Sequence, residues 1–191
     1  YGYTLCIVDT KGSHADLTPE YAAIPAEMKS VAAALGKTVL REVGEEEFFA
    51  KMGELRKKCG DRAVLRAAHF FDENNRVEKA AEALKSGDID TFLAAIKASG
   101  NSSYKFLQNV YANKNPEEQG VAVGLYTAER VLGGKGASRV HGGGFAGTIQ
   151  AFVPNELLDE FVKAENAVFG EGSCHKLFIR PVGGVEVNAE F

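Results

Sequence analysis

The residues with the clearest chemical potential in this chain are glycines. From Ser138 to Pro154 it reads Ser-Arg-Val-His-Gly-Gly-Gly-Phe-Ala-Gly-Thr-Ile-Gln-Ala-Phe-Val-Pro, with five glycines or alanines around Phe145. A backbone this bare can approach a ligand or another segment closely, and its N–H groups can face an anion. Gly142, Gly144 and Gly147 also fit the spacing G-x-G-x-x-G. A dinucleotide fingerprint needs those glycines between a strand and a helix. Here a second β-type run, Thr148–Val153, follows the loop, so no helix N-terminus stands behind it. A protein-kinase glycine loop does lie between strands, but its VAIK, HRD and DFG partners are absent, and there is no Walker A motif. A tight β-connection in which only glycine fits is the alternative that stays open.

Other candidates carry less. His141 sits at a strand end with no carboxylate near it in sequence, and reads as a hydrogen-bonded structural histidine. His14 and Asp16 are two residues apart with no third ligand in view, so no metal site is assigned. Cys6, Cys59 and Cys174 are odd in number and far apart, without a CxxC. That pattern favours reduced thiols in a cytoplasmic setting, with Cys6 as a small core residue of a strand.

The elements that must position these groups follow from periodicity and punctuation. Tyr3–Asp9 reads as a buried strand closed by Asp9-Thr10-Lys11-Gly12. Thr18 as cap with Pro19 behind it opens a helix that carries Tyr21 and ends at Gly36, and Pro25 inside it implies either a kink or a later true start. Glu45–Lys58 reads as one helix ending at Gly60. Asp61 then caps a long helix with Val64, Ala68, Phe71, Val77, Ala81 and Leu84 on its apolar face, interrupted by the polar knot Asp72–Arg76. Ile89–Ala98 is a helix, Ser99–Ser103 a break, and a short helix runs to Val110. Asn115-Pro116-Glu117-Glu118 has the form of a helix start ahead of the stripe Val121, Leu125, Ala128, Leu132. Ala137–His141 and Thr148–Val153 are strands flanking the glycine loop. A helix with Leu157, Phe161, Ala164 and Val168 follows, then a strand at Lys176–Arg180 and a further one considered at Gly184–Val187.

Strands and helices do not alternate throughout, which argues against a doubly wound sheet. The order predicts an α+β fold, a small antiparallel sheet with helices packed on one face, its tail related to the ferredoxin-like unit. The 191 residues suffice for one domain with a substantial core, or for two small ones. A net charge of −4 with scattered Lys and Arg points to no nucleic acid and no membrane surface, and no apolar run nears the ~20 residues of a membrane span. The chain opens on Tyr-Gly-Tyr without Met and reads as strand from its first residues, so a longer parent protein is expected.

Four segments together point to a family. Arg139-Val140-His141-Gly142-Gly143-Gly144-Phe145-Ala146-Gly147 resembles the third motif of galactokinases in the GHMP superfamily, Arg-x-Thr-Gly-Gly-Gly-Phe-Gly-Gly, with His141 and Ala146 as departures. His69-Phe-Phe-Asp-Glu73-Asn74-Asn-Arg76-Val77 resembles the family's His-x-x-x-Glu-Asn-x-Arg-Val helix. Val8-Asp9-Thr10 through Ser13-His14, Leu17 and Glu20-Tyr21 resembles the segment that reaches the sugar, and Glu117-Glu118-Gln119 stands where the family has Pro-Glu-Leu-Asp.

The resemblance covers nearly the whole chain but only the C-terminal half of the family, so residues 1–191 are expected to form the C-terminal GHMP domain. It implies transfer of the ATP γ-phosphoryl to the anomeric hydroxyl of galactose, with ATP and Mg²⁺ held mainly by an N-terminal half outside this sequence. Tyr21 is the implied sugar contact. Gly142, Gly143, Gly144, Phe145, Ala146 and Gly147 are implied to brace the active site, while Glu73, Asn74 and Arg76 are read as scaffolding. No catalytic residue and no metal ligand are expected in this half, which alone should be inactive. Its expected partners are the N-terminal half and galactose or a related hexose, and the face left exposed could make the piece self-associate. A non-catalytic sugar sensor of the same fold, and a free-standing small-ligand regulatory domain, are the competing readings.

Overall fold

The computed structural model describes residues 1–13 and 15–184. Four strands, β1 (Tyr3–Asp9), β2 (Ala137–Val140), β3 (Thr148–Pro154) and β4 (Cys174–Leu177), form one antiparallel sheet in the order β2-β3-β1-β4. Among the described residues seven α-helices accompany it: α1 (Thr18–Ala34), α2 (Glu45–Ala50), α3 (Met52–Cys59), α4 (Asp61–Ser86), α5 (Ile89–Ser102), α6 (Gly120–Leu132) and α7 (Leu158–Phe169). The expected α+β architecture is present.

The register shows where the core sits. Val8 pairs with Ile149, Cys6 with Ala151 and Val140 with Ile149, so these side chains share one face of the sheet. On that face they meet Val121, Ala128 and Leu132 of α6 and Phe161 of α7, all sealed from water. Each such large side chain contributes about 1.5–3 kcal/mol through burial. The second face is covered at its β2–β3 end, where Phe92 of α5 meets Phe152 edge-on at 5.0 Å. A helical layer of its own gathers Val31, Phe48, Leu55, Val64 and Phe71 from α1 to α4. One residue of the main core is out of character. Glu165 of α7 is fully buried, and neither carboxylate oxygen has a hydrogen-bond partner among the described residues.

Local chemistry explains most boundaries. Gly87, at φ +77°, ends α4, and Asp88 caps α5 by accepting from the Thr91 N–H at 3.0 Å. The polar knot Asp72–Arg76 leaves α4 unbroken, and α1 runs through Pro25. Other boundaries differ from expectation. Thr18 and Asp61 are first helical residues and not side-chain caps; the Asp61 carboxylate instead accepts from Arg56 at 2.8 Å. The Glu45–Lys58 segment is two helices, parted at Lys51.

The predicted break at Ser99–Ser103 is absent. Helix α5 runs through Ser102 into a π-helical turn at Ser103–Leu107, because the small residues there serve packing: a Cβ on Gly100 would lie 2.9 Å from Cβ of Arg139 on β2. The Asn115 helix start is a turn instead, with the Glu118 N–H donating to the Asn115 carbonyl. Helix α6 begins at Gly120, where the backbone passes so close to the Thr10 carbonyl that a Cβ would sit 2.9 Å from its oxygen. The last strand lies earlier than Lys176–Arg180, since Leu177 pairs with Leu5 and Phe178 projects fully into solvent. The strand considered at Gly184–Val187 runs into residues outside the described ones.

Candidate functional site

The glycine loop joins β2 to β3, and its base is closed by the His141 N–H donating to the Thr148 carbonyl at 3.0 Å. It has two parts. His141, Gly142 and Gly143 are exposed, whereas Gly144, Phe145 and Ala146 are buried. The buried part packs with Leu17, Ala112, Tyr21 and Ile24. Gly142, Gly144 and Gly147 adopt φ of +69°, +83° and +92°, which glycine takes without steric cost. Phe145 takes φ +60°, an uncommon conformation for a bulky side chain.

Three neighbours hold this conformation. From the segment after the π turn, Asn109 accepts the Phe145 N–H on its carbonyl at 2.6 Å and donates its side-chain amide to the Gly143 carbonyl at 3.1 Å. A side chain on Gly144 would overlap the Asn109 carbonyl oxygen, so glycine is required there on two counts. From α1, the Tyr21 hydroxyl donates to the Gly144 carbonyl at 2.8 Å, and its ring meets Phe145 edge-on at 5.3 Å. Burial pushes the Tyr21 phenol above its ordinary pKa. The ring lies so close to Gly143 that a Cβ there would be 2.7 Å from it. From the end of β1, Thr10 donates both its N–H and its hydroxyl to the Gly147 carbonyl at 2.8 Å.

A cavity of about 450 Å³ opens beside the loop, between Thr10–Ser13, Phe145–Ala146 and the turn Asn115–Gly120. Strain collects around it. Among the described residues, the non-glycines with positive φ are Lys11, Asp16, Gln108 and Phe145, which all fall in the segments that converge here. Such conformations cost on the order of 1–3 kcal/mol each and cluster at functional sites.

The polar helix motif acts behind the loop. Glu73 accepts from the Ser99 hydroxyl and from Arg76 at 2.8 Å, and lies 3.5 Å from the Arg139 guanidinium. Burial alone would raise the Glu73 carboxyl, but the bonds from Ser99 and Arg76 outweigh it and hold the pKa below the ordinary value. His69 Nδ1 lies 2.9 Å from the Ser102 hydroxyl, and burial lowers its pKa, keeping the ring neutral at pH 7. These bonds tie α4 to α5 and to β2. A deeper brace passes through Arg66, which is 1% exposed. It pairs with Glu27 of α1 at 2.9 Å and donates to the Leu107 carbonyl at 3.0 Å, anchoring the π turn just before Asn109.

The structure therefore brings together Tyr21, the loop Gly142–Gly147, the Thr10–Gly12 turn and the Glu117–Gln119 turn. His141 stands apart from them chemically: its Nδ1 lies 2.9 Å from Gln150 Oε1 and its side chain is exposed. His14 lies outside the described residues. Sequence reasoning missed Asn109, Arg66 and Glu27. An Asn after a helix end is compatible with the left-handed turn seen at Gln108, but nothing in the sequence marks its carbonyl as the loop's acceptor.

Comparison with known proteins follows the same lines. No protein-family model matches the chain. The galactokinase of Lactococcus lactis, solved in complex with galactose, superposes with a TM-score of 0.72 at 26% identity, over 92% of this chain and 45% of that one. The mevalonate kinase of L. major, in complex with R-mevalonate, superposes at TM-score 0.50 and 15% identity, a likeness of fold alone. The fold is thus that of a GHMP kinase domain. Among curated relatives, the galactokinase of Glaesserella parasuis is 32% identical over 167 residues and that of Thermotoga petrophila 33% over 173. They cover 86% and 88% of this chain, which in turn spans 41% and 45% of their length. The chain is a galactokinase homologue that matches less than half of such proteins.

Proposed function

We propose that this chain is the C-terminal part of a galactokinase that transfers the γ-phosphoryl of ATP to the anomeric hydroxyl of galactose. The observation that carries the reading is the joint anchoring of the glycine loop by Tyr21, Asn109 and Thr10 beside an open cavity. In this reading Tyr21 forms one wall of the sugar pocket, its bond to Gly144 fixing the ring against the loop. A phenol combines an apolar ring face with a polar tip, which suits a sugar. The exposed backbone of Gly142 and Gly143 is the surface against which the phosphate loop of the N-terminal half rests.

Catalysis of phosphoryl transfer is mostly positioning and charge neutralisation. The described residues include no cluster of three His, Cys, Asp or Glu able to hold a metal. In this proposal Mg²⁺ and ATP belong to the N-terminal half, as the resemblance implies, and the piece alone is inactive. No described helix is long and apolar enough to cross a membrane.

The test is reconstitution. The chain is co-expressed with the N-terminal half of the Glaesserella parasuis galactokinase, and ADP release is followed with ATP and a panel of hexoses. Turnover with galactose that neither half shows alone is expected. Stable complex formation without turnover of any hexose would overturn the catalytic reading, and galactose binding in that complex would favour the sugar sensor.

A further inference from the structure

A second cleft lies apart from the glycine loop. It measures about 600 Å³ and runs between α5 with its π turn and α6, with β2 as its floor. That volume is typical of pockets that enclose small organic ligands. Its apolar wall is α6, through Ala122, Leu125 and Leu132, and the small residue Ala137 continues it on the floor. Two aromatic rings stand at the sides, Tyr104 on the π turn and Tyr126 on α6, both partly exposed. π turns inside helices occur frequently at functional sites, since the widened turn re-aims the side chains it carries.

The polar groups of the cleft are mostly cationic. Lys97, Lys105 and Arg139 line it against the single carboxylate of Glu129. The guanidinium of Arg130 lies 5.8 Å over the Tyr126 ring. Lys97 donates to the Gly134 carbonyl and Arg139 faces Glu73. Lys105 has no side-chain partner among the described residues, so its charge is available to a ligand. On the floor, the Ser138 hydroxyl is buried without a hydrogen-bond partner. β2 is an edge strand, and its ladder bonds to β3 fall on the odd-numbered residues, as the His141 bond shows; the backbone of Ser138 therefore turns away from β3.

An apolar slot flanked by two phenol rings accepts a planar aromatic body. An excess of cations at its mouth, one of them unpaired, selects an anionic group on that body. We propose that this cleft is a binding site for a small planar aromatic anion, of the aryl-carboxylate or mononucleotide type, with Tyr104 and Tyr126 flanking the ring and Lys105 taking the charge. The site is distinct from the glycine loop and does not depend on the catalytic reading.

The experiment is saturation-transfer NMR on the protein with three probes: 1-naphthoate, adenosine 5′-monophosphate and the neutral 1-naphthylmethanol. At least one anion should receive saturation and titrate to a single site, with the neutral probe at least fivefold weaker. Binding of 1-naphthoate alone assigns the aryl-carboxylate type, and binding of the nucleotide assigns the nucleotide type. Lys105→Glu, an exposed change that circular dichroism can certify as folded, should weaken the bound anion at least tenfold, and Tyr104→Ala at least fivefold. No saturation of either anion overturns the proposal. So does binding unchanged by Lys105→Glu, which would place the anion elsewhere, and so does a neutral probe that binds as tightly as the charged ones.

Discussion

Replacing Glu165 by glutamine should stabilise this protein, and by an amount that grows with pH. The Glu165 carboxyl lies fully buried in the main core with no hydrogen-bond partner among the described residues. Burial, with a smaller contribution from Cys174, pushes its pKa up from 4.5 to about 8. The folded chain thus keeps a proton that the unfolded chain has released. Stability from this group is fullest below pH 4.5 and is lost as pH rises towards 8. At pH 7 the loss is about 1.36 kcal/mol for each of the 2.5 pH units above the unfolded pKa, or about 3 kcal/mol. Glutamine has the shape and polarity of the protonated acid but cannot ionise. Glu165→Gln should therefore match the wild type near pH 4.5 and exceed it by about 3 kcal/mol at pH 7, a rise in Tm of roughly 6–12 °C for a chain of this size. Urea unfolding of both proteins from pH 4.5 to 8 provides the assay. Parallel stability–pH curves, or a wild type as stable as the variant at pH 7, would refute the reasoning and mean that the carboxylate finds water or a cation.

Gly144→Ala should destabilise by at least about 2 kcal/mol, read as a fall in Tm, because its φ is positive and a Cβ would overlap the Asn109 carbonyl. Glu27→Ala should cost about 3–5 kcal/mol in urea unfolding by leaving the buried Arg66 charge uncompensated, whereas Arg62→Ala, more exposed on the same carboxylate, should cost far less. Tyr21→Phe should remove about 1 kcal/mol of stability with the Gly144 hydrogen bond, and in the reconstituted enzyme should raise the KM for galactose; an unchanged KM would remove Tyr21 from the sugar wall.

Where a boundary depends on local chemistry, the sequence displayed it. The strands β1 and β3 and the first half of the apolar face of α4, Val64 and Phe71, were readable because each is fixed by neighbouring residues, whereas Val77, Ala81 and Leu84, expected to continue that face, are exposed. The errors share one cause. Ser99-Gly100 has the composition of a loop, yet its smallness serves contacts made far along the chain: Gly100 admits Arg139, and Ser99 and Ser102 satisfy Glu73 and His69. Asn115-Pro116-Glu117-Glu118 has the composition of a helix start, and equally of a turn; the choice is made at Gly120 by its contact with Thr10. Phe178 and Ile179 read as a strand because they are apolar, but the register of β4 ends before them.

The same distinction applies to the site. The glycines were legible because each marks a constraint on its own backbone. The groups that impose the constraint were not, since Asn109 acts mainly through its carbonyl, which every residue has. The order of support is nevertheless determinate. Glu27 neutralises Arg66, Arg66 holds the Leu107 carbonyl, and the π turn so fixed delivers Asn109 to Phe145 and Gly143. Tyr21 rides on the same helix as Glu27 and grips the loop from the opposite side at Gly144. One helix, α1, thus sets both grips on the loop, one directly and one through a buried charge. A shift of α1 cannot move the candidate sugar wall without also moving the glycine loop, which is the mechanical requirement for a pocket whose two walls must keep their spacing.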